Sequence, residues 1–175
     1  QRLSRGLGDV YKRQMINQSK TCHQAEIDSA CELIDFWRFN VQYAREIYED
    51  LQPPVSPSSM WNSSEIRPLE GFIFSVTPFN FSSIAGNLPS SAAIMGNTGV
   101  WKPSRNSYLS NYYLMRLMMD AGLPDGVINF IPGKASMVGD ICLAHPMLAG
   151  IHFTGSTSVF RQMWKDVANN LANLR

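Results

Sequence analysis

Three short polar clusters carry the residue types from which a small-molecule site could be built: TPFN at 77–80, KPS at 102–104 and TGSTS at 154–158. Asn80 offers a neutral side-chain amide, the kind of donor that steadies negative charge growing on a carbonyl oxygen. Lys102 offers a cation. The turn through Gly155, Ser156, Thr157 and Ser158 offers closely spaced backbone N–H groups, the usual seat of phosphate oxygens. Together they suit a ligand that carries phosphates and a reacting carbonyl. Each cluster also has a plainer interpretation: Lys102 as a solvated charge, TPFN as a turn fixed by Pro78, and TGSTS as a helix cap through Ser156 or Thr157. The G-x-G-x-x-G fingerprint of an ordinary dinucleotide site is absent.

The elements that must position these clusters follow from the apolar pattern. GFIFSV (71–76), GVWK (99–102), GVINFI (126–131) and GIHF (150–153) read as buried strands, each entered through a glycine. Helices are predicted between them at 81–95, 107–121 and 136–145, with a last one from 156 onward. AGLPDG (121–126) supplies the Gly and Pro of a helix exit. Strands alternating with helices predict an α/β fold with a parallel sheet and right-handed crossovers. In such sheets a ligand lies beyond the carboxyl ends of the strands, which is where all three clusters fall.

Two helices carry long apolar stripes. Ile27, Ala30, Ile34, Trp37, Val41, Ala44, Tyr48 and Leu51 recur at spacings of three and four, predicting one helix over 26–51 that docks on the globule and stops at QPPVSP (52–57). Phe160, Met163, Trp164, Val167, Leu171 and Leu174 form a second stripe, which assigns Phe160 to the core.

Bulk composition bounds the partners. The 175 residues are 45% hydrophobic and 17% charged, and the net charge of +1 predicts no nucleic acid and no anionic membrane surface as partner. Cys22, Cys31 and Cys142 show no C-x-x-C spacing and none that joins them to a histidine, so no metal site is expected. The first fourteen residues, QRLSRGLGDVYKRQ, resemble translated adaptor sequence and are expected to form a non-native or disordered leader outside the fold. Residues 15–64 then read as a helical arm and linker, and 65–175 as the α/β domain.

LEGFIFSVTPFNFSSIAGNLPSSAAIMGNTGVWKPS, AGLPDGVINFIPG and IHFTGSTSVF, in that order, resemble the aldehyde dehydrogenase superfamily. AEIDSACELIDFWRFNVQYA and the phenylalanine of GSTSVF are similar to the branch that handles the semialdehyde of proline breakdown. The resemblance implies that 65–175 is a partial Rossmann-like NAD-binding domain, preceded by a long helix. It implies that Asn80 is the oxyanion-hole asparagine and that Lys102, with Ser104 close by, holds the adenine-side ribose of NAD. Thr77, Pro78 and Phe79 would line the cofactor path, and Gly155, Ser156, Thr157, Ser158 and Val159 would form the turn beneath the pyrophosphate. Many members have glycine where Phe160 stands, and Arg105 lies where some carry an acid facing the ribose. The resemblance further implies a small-molecule aldehyde substrate, no membrane, a homo-oligomer at full length and the mitochondrial matrix. It places the nucleophilic cysteine and the water-activating glutamate beyond Arg175, which makes the chain alone inactive. A non-catalytic nucleotide-binding or interaction module, with the long helix as partner surface, is the alternative.

Overall fold

Four parallel strands, β1 (Phe72–Val76), β2 (Thr98–Lys102), β3 (Ile128–Phe130) and β4 (Leu148–Phe153), form one sheet in the order β3-β2-β1-β4. The computed structural model describes residues 2–53 and 55–174, with the backbone alone at 2–5 and 7. Gln1, Pro54 and Arg175, which belong to the expected leader, linker and last helix, lie outside those residues. Among the described residues no helix is long and apolar enough to cross a membrane.

The sheet is covered on both faces because its strands alternate between two apolar clusters. Phe74, flanked by Phe72 and Val76, packs with Val138, Cys142, Leu148 and Met163 under α6 (Ala135–Ala144) and α7 (Thr157–Asn169). On the opposite face Trp101 and Ile128 pack with Leu33, Ala85, Leu114 and Leu117 under α3 (Glu32–Asp50), α4 (Ser82–Ile94) and α5 (Tyr108–Asp120). Helices α3, α4 and α5 approach closely at Gly86, where a Cβ would stand 2.8 Å from Leu114 Cδ2 and 2.9 Å from Leu33 Cδ1.

The amino-terminal third departs from expectation in two ways. Residues assigned to a leader outside the fold belong to α1 (Arg2–Gln18), which lies against α5. Val10 and Gln14, one turn apart, are fully buried, and the Arg13 guanidinium sits 4.6 Å from the Tyr113 ring centre. Spacing of this kind lets a sequence of any origin adopt a docked helix once a groove is offered to it.

The predicted 26–51 helix is a longer rod of three parts: α2 (Cys22–Ala25), a π-helical segment (Glu26–Cys31) and α3. A π-turn inserts a residue and rotates the face that follows it. The buried side is therefore Ala25, Ser29, Leu33 and Ala44, while Ile27, Val41, Tyr48 and Leu51 of the predicted stripe are exposed. The rod docks as expected through Trp37 Nε1 donating to Ser90 Oγ at 2.9 Å and Asn40 Nδ2 donating to Asn87 Oδ1 at 2.6 Å.

Phe160 is also corrected: it is 46% exposed beside Trp164, while Met163 alone of that helix is buried. Nothing among the described residues continues the sheet beyond β4, so the stripe of α7 faces an apolar groove along that edge instead of a closed core.

Candidate functional site

The strand order creates the site. From β1 the chain moves outward to β2 and β3, then returns to place β4 on the other side of β1, so the direction of winding reverses between β1 and β4. At such a reversal the loops leaving the two strands diverge and open a crevice at their carboxyl ends. The loops here are 77–80 after β1 and 154–158 after β4, with β2 ending at Lys102 next door. Val76 stands in register with both Lys102 and Phe153. Two further hydrogen bonds stitch the rim: Thr77 N–H donates to Lys102 O at 3.3 Å, and Thr154 N–H donates to Val76 O at 3.1 Å. With neighbouring strands ~4.8 Å apart, the backbones of Lys102 and Phe153 are about 10 Å from each other, and the three clusters share one rim.

Lys102 is the most informative member. It is 7% exposed, its side chain lies on the α6/α7 face, and no hydrogen bond or ion pair reaches its ammonium among the described residues. Burial lowers its pKa from the ordinary 10.5. Most of the side chain is packed away while its ammonium is not among the fully buried atoms, which leaves the cation open to a ligand at the rim.

Around β4 the turn is built for close approach. Gly155 lies beneath the Phe153 ring, where a Cβ would come within 2.6 Å of Cζ. Ser156 caps α7, its hydroxyl accepting from Val159 N–H at 3.3 Å, and it lies 3.0 Å from the Ser158 hydroxyl. One orphan donor is thereby satisfied. The N–H groups of Thr157 and Ser158 stay free for an anion, which the positive end of a 13-residue helix favours.

The loop after β1 divides its labour. Thr77 is 3% exposed and its hydroxyl accepts from Trp101 Nε1 at 3.0 Å, so its side chain braces the sheet. Pro78 is half-buried, Phe79 is 57% exposed and the Asn80 side chain is exposed at the rim. Ser104 begins the 3-10 turn Arg105–Ser107, its carbonyl accepting from Ser107 N–H at 3.1 Å, and Arg105 points into solvent.

Two groups near Asn80 were not legible in the sequence. Glu32 accepts from the hydroxyl of Ser83 in the first turn of α4. Lys20 pairs with Asp28 and sits over the ring of Phe81, 4.2 Å from its centre. The Glu32–Ser83 and Lys20–Phe81 contacts each join residues more than fifty positions apart, and no local spacing announces them.

The aldehyde dehydrogenase family profile matches residues 2–175. Among curated proteins, the delta-1-pyrroline-5-carboxylate dehydrogenase of Agaricus bisporus is 50% identical over 157 residues, covering 90% of this chain and 28% of that protein. The human mitochondrial enzyme of the same name is 45% identical over 163 residues, covering 93% and 29%. The crystal structure of the Delta-pyrroline-5-carboxylate dehydrogenase from Mycobacterium tuberculosis bound with NAD superposes with a TM-score of 0.91 at 52% identity, covering 95% of this chain and 31% of that one. The chain thus spans somewhat under a third of the length of these relatives. With a parallel sheet of the same shape and a match along nearly its whole length, the chain belongs to the aldehyde dehydrogenase family.

Proposed function

We propose that the chain is the NAD-binding part of a dehydrogenase that oxidises L-glutamate γ-semialdehyde, the open form of pyrroline-5-carboxylate, to L-glutamate in proline catabolism in the mitochondrial matrix. The observation that carries this is the largely buried Lys102, whose ammonium has no partner among the described residues, set on the same rim as a free helix N-terminus and the Asn80 amide. The residues fit a dinucleotide on chemical grounds. Lys102, with Ser104 beside it, donates to hydroxyls of the adenine-side ribose. The N–H groups of the Gly155, Ser156, Thr157, Ser158, Val159 turn donate to the pyrophosphate, and Gly155 leaves room for it. Thr77, Pro78 and Phe79 lead from there toward Asn80. NAD, when bound, supplies the acceptor for the hydride that leaves the aldehyde carbon.

Asn80 acts on the substrate oxygen. As a nucleophile adds to the aldehyde, negative charge builds on that oxygen, and a side-chain N–H held in place stabilises it more than it stabilises the neutral carbonyl. The substrate class rests on relatives that carry the pyrroline-5-carboxylate name at 45 to 50% identity, and the compartment on those named mitochondrial. Cys142 is buried in α6, Cys22 and Cys31 lie on α2 and the π-turn, and none of the three is assigned as the nucleophile.

The test is Asn80→Ala in the full-length enzyme. One oxyanion donor is worth about 3 kcal/mol, so kcat should fall about a hundredfold with the cofactor KM unchanged. A fall of less than threefold refutes the assignment.

A further inference from the structure

The corner between α1 and α2 touches the Asn80 loop, and its construction is unusual. Ser19 adopts φ 53, in the left-handed region that side chains other than glycine enter at a cost. Thr21 follows with a reciprocal capping box: its hydroxyl accepts from Gln24 N–H at 3.3 Å, and Gln24 Oε1 accepts from Thr21 N–H at 3.2 Å. Between these two fixed points stands Lys20, its side chain mostly buried, paired with Asp28 of the π-turn and lying 4.2 Å above the ring centre of Phe81. Phe81 is the N-cap residue of α4 and the next residue after Asn80. Its side chain makes no cap hydrogen bond, so the first turn of α4 has no capping side chain to fix the approach of the preceding loop.

A cation over a ring face, shielded from water and itself tethered by a carboxylate, supplies the missing restraint. The ring cannot swing without losing the contact, and the ring is covalently one residue from the amide that must meet the substrate oxygen. Displacements well under an ångström at such a donor change rates substantially, because its benefit depends on being in place before charge develops.

We infer that Lys20 is a positioning residue for Asn80: clamped by Asp28, it holds the Phe81 ring and through it the orientation of the oxyanion amide. This rests on the role proposed above for Asn80. The strained Ser19 corner and the capping box aim Lys20, and Asp28 fixes it from the far side.

The experiment is steady-state kinetics of the full-length enzyme carrying Lys20→Met, Lys20→Arg, Asn80→Ala and the double variant Lys20→Met/Asn80→Ala, each first checked for native thermal stability. Lys20→Met should lower kcat about tenfold and leave the cofactor KM within twofold. Lys20→Arg, which keeps both the ion pair and the contact with the ring, should recover kcat to within threefold of wild type. The double variant should be no slower than Asn80→Ala, since a positioning residue has nothing left to position. Should Lys20→Met melt early, Lys20→Met/Asp28→Asn, which leaves no unpaired charge, replaces it with the same expectations. The inference is overturned by kcat within twofold of wild type in the neutral variant, by losses that multiply in the double variant, or by an arginine variant as slow as methionine. An Asn80→Ala enzyme of normal kcat overturns the role of Asn80 and the inference together, whereas a slow Asn80→Ala beside a normal Lys20→Met overturns the inference alone.

Discussion

Replacing Lys102 by methionine should move stability and cofactor binding in opposite directions. The residue is 7% exposed, burial lowers its pKa and it has no partner among the described residues, so its charged form is partly desolvated in the free protein and costs free energy. Methionine keeps most of the volume and drops the charge. The free chain should therefore be more stable at pH 7, on the order of 1 kcal/mol or about 2–4 °C in Tm for a chain of this size. The sign with pH follows from linkage. Between the lowered folded pKa and the unfolded value near 10.5, the unfolded chain holds more protons than the folded one, so wild-type stability rises with pH through that window. The advantage of the methionine variant should accordingly shrink as pH approaches 10.5. Binding should go the other way. A hydrogen bond from a charged donor is worth about 1.5–3 kcal/mol, so the Kd for NAD should rise about tenfold to a hundredfold. Thermal melts from pH 7 to 10.5 with calorimetric titration of NAD measure both quantities. A variant that melts lower at pH 7 would refute the unpaired-charge argument, and an unchanged Kd would refute contact with the cofactor.

Gln14 is fully buried and neither its Nε2 nor its Oε1 has a partner, so Gln14→Met should stabilise the chain by about 1–3 kcal/mol. A Tm that does not rise in a scanning melt would mean that α1 is not docked as described. Gly155→Ala should weaken NAD binding and cost about 1–3 kcal/mol of stability by pressing a Cβ against the Phe153 ring, 2.6 Å from Cζ. Because Gly155 is not at positive φ, adding Phe153→Leu should restore most of the loss, and a double variant as unstable as the single would point to backbone strain instead.

Strand positions were legible because each buried run is short, apolar and bounded by glycine or a polar turn, and parallel strands covered on both faces read as continuous apolar segments. β4 begins at Leu148, ahead of the glycine taken as its start, because Leu148 pairs with Phe72 across a register irregularity that only the neighbouring strand reveals. The shared rim of Asn80, Lys102 and Gly155 followed from topology alone, since polar residues after parallel strands have one place to go. Three kinds of feature stayed hidden. A π-turn leaves no periodic trace, so the stripe predicted across it matches the docked face only in part, at Trp37 and Ala44. Phe160 and Trp164 continue an apolar stripe whose cover is not among these residues, and periodicity cannot tell a core from a groove. The segment before Met15 has adaptor-like composition yet offers Val10 and Gln14 one turn apart, and propensity alone does not exclude it from a waiting surface.

The central place of β1 has a consequence for synthesis on the ribosome. β2 can pair with it and β3 can then pair with β2 as they emerge, so one flank of the sheet assembles while the chain is still growing. The other flank of β1 waits until β4 has been made, leaving Phe72–Val76 with an open edge throughout that interval. Nascent chains halted before residue 148 should therefore recruit strand-binding chaperones, and release should coincide with the emergence of IHFTGS.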